Sequence, residues 1–201
     1  MKTPAGRGSQ GYSLIEVMVV IVITTVGFIA LINLQIGTLR AVGMSRAMMQ
    51  GVNLAEHFIE TLKVEALPWN MDASSMISQP DRFPNLRLAG NAVAGGSSGW
   101  IRGMLPAGSD RRIGPLGTGE GDDTGIASEI VPDRDRRYCL HFRLTWVVPE
   151  YLMRADVRVL WMRDEARLTN YEECPIGMET DLANVASVTV PGTVIRNVFM
   201  R

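Results

Sequence analysis

Gly11-Tyr12-Ser13-Leu14-Ile15-Glu16 stands between a short basic leader and a long apolar run. Lys2 and Arg7 precede it, and the 23 residues from Val17 to Leu39 carry no charge. As a helix rising 1.5 Å per residue, that run spans about 35 Å, enough to cross a hydrocarbon core of about 30 Å. One carboxylate, Glu16, lies just inside its start. A charge in hydrocarbon costs at least ~2.5–3.5 kcal/mol on insertion scales, so an ionisable residue here points to function. The plainer reading is that Glu16 caps a membrane helix, whose dipole favours an anion at that end.

The helix does not stop where the apolar run stops. Met48, Val52, Ala55, Ile59, Leu62 and Ala66 recur at spacings of four and three, which predicts one apolar face. Arg46, Gln50, Asn53, Glu56, Glu60 and Lys63 fall largely elsewhere, and Pro68 ends the segment. A helix from Tyr12 to about Leu67 would be roughly 84 Å long. Gly27, Gly37, Gly43 and Gly51 interrupt it, either for close helix packing or as points where it can bend.

Downstream the period changes. Leu140, Phe142, Leu144, Trp146 and Val148 alternate with His141, Arg143 and Thr145, and Ala155, Val157, Val159 and Trp161 alternate with Asp156 and Arg158. Both stretches read as half-buried strands joined by a hairpin over Pro149–Arg154. A last pair of strands is expected around Val185–Val190 and Val194–Phe199, split by a turn at Pro191-Gly192. These elements predict an α+β fold, with an antiparallel sheet whose apolar face covers the helix stripe. Residues 68 to 137 are less legible: 11 glycines lie between Gly90 and Gly125, and only Trp100-Ile101 and Met104-Leu105 suggest short strands.

Competing targeting signals fit poorly. A secretory signal has an apolar core of about 7–15 residues followed by a small-residue cleavage site. This run is longer, and no Ala-x-Ala follows it. The basic residues lie before the run, which places the N-terminus in the cytoplasm and everything after about Leu39 outside. The formal charge is −1, and −3 once Lys2 and Arg7 are removed with the leader, so no nucleic-acid footprint is expected. The two cysteines, Cys139 and Cys174, could pair outside the cytosol or stay reduced within it. Neither belongs to a Cys-x-x-Cys pair, and histidines are not clustered, so no metal site is expected.

Other chemistry is weakly signalled. Gly95-Gly96-Ser97-Ser98-Gly99 matches Gly-x-Ser-x-Gly, but in a Gly/Ser-rich stretch that reads as a flexible loop. The only histidines are His57 on the helix and His141 on the polar side of a strand. Glu120, Asp122 and Asp123 lack EF-hand spacing and read as a solvated acidic loop rather than a calcium site. Asp133-Arg134-Asp135-Arg136-Arg137 reads as a solvated mixed-charge approach to Tyr138.

The opening motif resembles the class III signal of type IV pilins and type II secretion pseudopilins, with Tyr12 where that family usually has Phe. The resemblance implies a non-enzymatic assembly subunit without a cofactor. It implies cleavage between Gly11 and Tyr12 by a prepilin peptidase that also methylates the new amine, leaving Glu16 fifth in the processed chain. In the filament core, Glu16 would pair with the Tyr12 amine of a neighbour, offsetting two buried charges and fixing the axial register. The implied organisation is a cleaved leader (1–11), a membrane or filament-core half-helix (12–39), an amphipathic half (40–67) and an extracytoplasmic β-rich domain (68–201). It places the chain in a bacterial inner membrane with a periplasmic domain, surrounded by membrane lipid before assembly and by other minor and major pilins in the pilus, at its tip, afterwards. Pilins often close a C-terminal loop with a disulfide, and Cys139 with Cys174 resembles that arrangement. Inward-facing Leu140, Phe142 and Leu144 put Cys139 on the opposite, polar side of its strand. A narrower likeness to minor pilins of the PilV group rests on Gly27-Phe28-Ile29-Ala30-Leu31-Ile32-Asn33-Leu34-Gln35, Leu54-Ala55-Glu56 and Val157-Arg158-Val159-Leu160-Trp161. The expected role is a minor pilin that primes or caps a type IV pilus. The alternatives are a minor type II secretion pseudopilin and, less favoured, a pilin-anchored adhesin.

Overall fold

The structure is a computed structural model that describes residues 13–71, 75–76, 78–88, 96–103, 137–163 and 174–197. The chain divides into two units, Met1–Met44 and Ser45–Arg201. One long helix, α1 (Leu14–Ala66), supplies the described part of the first unit after Ser13 and the opening segment of the second.

In the first unit the apolar side chains of α1 are exposed, from Leu14 through Leu39. This helix is long and apolar enough to cross a membrane, with a mean hydropathy of 2.7 over its most apolar window. Its few hydroxyls are satisfied within the helix. Thr24 donates to the Val20 carbonyl at 2.8 Å, Thr25 to Ile21 at 2.7 Å and Thr38 to Gln35 at 2.8 Å. Back-bonding of this kind removes the cost of placing a threonine in an apolar medium.

In the second unit the remainder of α1 packs on a four-stranded antiparallel sheet of order β1-β2-β3-β4. The strands are β1 (Ile101–Arg102), β2 (Tyr138–Val148), β3 (Leu152–Met162) and β4 (Val185–Ile195). Register puts Leu140, Val159 and Val188 in one cross-strand row and Phe142, Val157 and Val190 in the next, all on the face toward the helix. Phe58 of α1 meets Phe142 with ring centroids 5.1 Å apart, and Trp69 meets Trp146 at 5.7 Å. The expected α+β architecture is thus present, and the sheet's apolar face covers the helix stripe.

The stripe itself is rotated from the sequence expectation. Gly51, Leu54, Ala55, Phe58, Ile59, Leu62, Glu65 and Ala66 are buried, whereas Met48 is 53% exposed. The bulkiest apolar side chains, Leu54 and Phe58, take the centre of the contact and leave Val52 at its margin. Gly51 owes its place to packing: a Cβ there would lie 3.1 Å from Trp161 and 3.2 Å from Val188. Glu65 is 8% exposed and binds the chain after the helix. Its carboxylate accepts the Asn85 and Leu86 amides at 2.8 and 2.7 Å and the Asn85 side chain at 3.2 Å. Burial pushes this carboxyl above its ordinary value, against the pull of those hydrogen bonds. The helix ends at Ala66, and Leu67-Pro68 form a turn.

Pro191-Gly192 does not split the last strand. β4 runs unbroken through both residues, with Pro191 opposite Asp156 and Gly192 opposite Ala155. The reason is backbone parity. In an antiparallel ladder, successive residues direct their N–H and C=O groups alternately to the two sides. The Gly103 and Ser98 amides donate to Leu140 and Leu144 at 2.9 Å each, so even residues of β2 face β1 and odd ones face β3. Carried across the register, the even residues of β4 face β3 and the odd ones face the sheet's outer edge. The Arg163 amide on Asn184 O at 2.8 Å and the Arg196 amide on Tyr151 O at 2.9 Å follow the same parity. Pro191, an odd residue on an edge strand, therefore lacks an N–H only where β3 needs none. Gly192 allows close approach to the helix, since a Cβ would come within 2.7 Å of Ile59. Gly192→Val is expected to cost about 1–3 kcal/mol by overpacking, read as a lower urea midpoint at unchanged slope. An unchanged midpoint would contradict this packing.

The true turn is at Pro149-Glu150. Tyr151 N–H bonds Val148 O at 3.1 Å, and Glu150 has a φ of 66°. Proline at the second position and positive φ at the third are what a type II turn requires. The Gly-rich stretch before β1 is also paired. Ser97 bridges Thr145, and Ser98 exchanges backbone and hydroxyl hydrogen bonds with Leu144. That corrects the flexible-loop expectation for the described residues Gly96–Gly99: β2 presents an edge there that loop backbone can satisfy. Met104-Leu105, the acidic residues Glu120, Asp122 and Asp123, and the run Asp133–Arg136 lie outside the described residues.

Candidate functional site: the helix start and the tethered outer face

Gly11 and Tyr12 lie outside the described residues, so the described part of the opening motif begins at Ser13. The Ser13 hydroxyl accepts the Glu16 amide at 3.3 Å, and the Ser13 carbonyl accepts the Glu16 and Val17 amides at 3.0 and 3.3 Å. Ser13 is therefore the N-cap and Glu16 the third helical residue, the spacing of a capping box. The Ser-x-x-Glu spacing before an apolar run is the sequence signal for this cap, and the reading of Glu16 alone misses Ser13. Glu16 is solvent-exposed, and its carboxylate makes no hydrogen bond or ion pair among the described residues. A carboxylate at an N3 position is favoured by the helix dipole, yet that local role leaves its oxygens able to accept a cation.

A second feature sits on the sheet face opposite the helix. Cys139 and Cys174 form a disulfide with Cα atoms 5.4 Å apart. It lays the segment Cys174–Thr180 over β2 and β3. The expected polar surroundings of Cys139 are wrong: Cys139, Leu160, Met162, Cys174, Met178 and Val185 make a second apolar cluster. The tether covers the end of this face around Cys139 and His141 and shields that cluster from water, which strand alternation alone does not foretell. His141 is completely buried beneath it, with Nε2 3.1 Å from the Cys174 carbonyl. A carbonyl can only accept, so Nε2 carries the proton and Nδ1 is left bare and buried, with no hydrogen-bond partner among the described residues.

Around His141 lies a ladder of charges. Arg158 and Arg102 are its cross-strand neighbours, and Glu179 reaches over from the short 3-10 turn Met178–Thr180 to pair with Arg158 at 2.8 Å. Trp100 packs under Arg158 at 3.6 Å and Arg143 at 4.8 Å. Asp156, 3% exposed, joins Arg143 at 2.9 Å to Arg154 at 2.7 Å. Burial opposes the Asp156 charge, but the hydrogen bonds from both arginines outweigh it and hold the carboxyl below its ordinary range. For His141, desolvation comes first, and the nearby arginines reinforce it against the Cys174 carbonyl and Glu179, so its pKa lies below the ordinary 6.5.

The unfolded chain takes up a proton at His141 near pH 6.5 and the folded chain only at lower pH. The stability contributed by neutral His141 is therefore full above that value and declines as pH falls below it. Urea midpoints are expected to drop between about pH 6.5 and 5, and to drop less in His141→Gln. Equal pH profiles for the two proteins would contradict this assignment.

The arrangement offers little for catalysis. Ser98 Oγ is committed to Gly99 O and the Leu144 amide, and Ser97 Oγ lies against Thr145 and Gly99. Among the described residues neither serine bonds a histidine, and no group of three His, Cys, Asp or Glu side chains could hold a metal ion. His57 is exposed on α1.

A family model described as the prokaryotic N-terminal methylation motif matches residues 6–32. The matched span contains the whole stretch from Gly11 to Glu16 and the first two thirds of the apolar run. It indicates a type IV pilin-like class III signal, which implies processing by prepilin peptidase and assembly with other pilins. With the exposed apolar helix it is consistent with membrane anchoring. The chain matches no curated protein and no solved structure.

Proposed function

We propose that this chain is a minor pilin of a type IV pilus, a non-enzymatic subunit of the PilV kind that primes or caps the filament. The observation that carries the reading is the methylation motif at 6–32 on a helix whose apolar side chains are exposed. An apolar helix without internal partners needs either lipid or a bundle of its own kind, and a pilin uses both in turn. Cleavage falls between Gly11 and Tyr12, and Glu16 then meets the methylated Tyr12 amine of a neighbouring subunit. The domain carried by the helix lies in the periplasm before assembly.

The disulfide supports a periplasmic setting, because such bonds persist in oxidising compartments. The same helix start would serve a minor type II secretion pseudopilin. The experiment that separates the two is deletion of the gene, followed by recovery of surface fibres and assay of exported proteins. Loss of fibres with normal export, and the chain present in sheared fibres of the wild type, is the expected result. Loss of export with fibres intact would assign the chain to the secretion system.

A further inference from the structure

The two edges of the sheet are built differently. At one edge β1 is only two residues long, and the backbone before it changes register, pairing Ser97 with Thr145 but Ile101 with Phe142. A short, kinked edge strand of this kind resists further pairing. At the other edge β4 is eleven residues long and contains no charged residue. Its backbone parity sends the N–H and C=O groups of Ser187, Thr189 and Thr193 sideways out of the sheet. The side chains of Ser187, Thr189, Pro191, Thr193 and Ile195 are exposed. Val188 and Val190, on the helix-facing side, are only partly buried, and among the described residues no strand pairs with this edge.

We propose that β4 is a docking edge that accepts an extended strand from a different subunit of the same filament. The surface asks for backbone above all: an extended segment can satisfy the outward amides and carbonyls, and β-branched side chains suit its Thr and Ile rows. A second copy of this chain fits less well. Two β4 strands paired about a two-fold axis would bring two Pro191 residues into the ladder, each lacking a donor. Avoiding both confines the overlap to Val185–Thr189. A strand of different sequence meets Pro191 once and can use the full edge.

The proposal rests on the pilin reading, and the test separates the two. Residue-resolved hydrogen exchange is measured on the full chain in detergent and in isolated fibres. In detergent the Ser187, Thr189 and Thr193 amides should exchange fast, while those of Val188, Val190 and Val194 are protected. In fibres the outward amides should slow by at least about tenfold. Thr189→Pro removes only an outward N–H, as Pro191 already does, so the domain should fold while incorporation falls at least about tenfold. Thr189→Lys keeps the backbone and adds an edge charge, and should act in the same direction if the proline variant does not fold. Outward amides that exchange equally fast in fibres would overturn the strand-docking proposal and leave the pilin reading intact. Protection that grows with protein concentration in detergent, without other pilins, would overturn the choice of a different subunit. Absence of the wild-type chain from fibres would overturn the pilin reading, and the docking proposal with it.

Discussion

Glu16→Val is expected to give a protein that is cleaved, inserted and folded but excluded from filaments. The substitution removes the one charge within the apolar segment's start, so insertion should survive or improve. Folding of the second unit should not change, because its core begins with α1 residues from Gly51 onward. The Ser13 cap should persist, since its hydroxyl bonds the Glu16 backbone amide rather than the carboxylate. On the proposed pilin reading, what is lost is the partner for a neighbour's terminal amine in a medium that cannot solvate it. Leaving one member of a buried ion pair alone costs about 3–5 kcal/mol, more than a hundredfold in a docking equilibrium. Co-purification of the variant with other pilins, beside a cleavage assay, reads both halves. Normal entry of cleaved Glu16→Val into fibres would reduce Glu16 to a helix-start residue.

Replacing both cysteines by serine is expected to cost the second unit roughly 2–4 kcal/mol. The bond closes a loop between positions 35 residues apart, so its loss restores much entropy to the unfolded chain. The native state loses as well. The segment Cys174–Thr180 covers Leu160 and His141 and supplies Glu179 to Arg158. Freed, it would let water reach an apolar cluster and a buried imidazole. For a chain of this size the loss corresponds to a fall in Tm of roughly 5–15 °C. Equal melting of the oxidised protein and the double serine variant would show that the tether is ornamental to the fold. A serine pair that melts lower and shows the same weakened acid response as His141→Gln would confirm that the tether is what buries His141.

The sheet was legible because β2 and β3 alternate cleanly, and only one face of an antiparallel sheet needs to be apolar. The helix was legible from its long uncharged start and from Pro68. Three errors share a cause: sequence rules describe an element alone, and each residue answered to its neighbours. Pro191-Gly192 has the composition of a turn, but the proline's missing donor faces outward and the glycine makes room for Ile59. Cys139 and His141 alternate as polar-side residues, yet a tether from 35 residues downstream buries both. Met48 fits the helical spacing but gives way to Leu54 and Phe58 at the packed face. Glu65 carries no local signal; its role exists only because the Asn85 and Leu86 amides converge on it. At the helix start the Ser-x-x-Glu spacing is a legible cap signal, and the structure places Ser13 at the N-cap and Glu16 three residues on, exposed.

The central claim is that the leader ends at Gly11 and that the working chain begins at Tyr12. Mass spectrometry of the N-terminal peptide of protein from native membranes tests it most directly. The account predicts a chain starting at N-methylated Tyr12, and full-length protein carrying the leader in Gly11→Val, where a side chain before the cut crowds the peptidase's approach to the backbone. A wild-type chain that retains the leader, or begins at any other residue, would contradict the account.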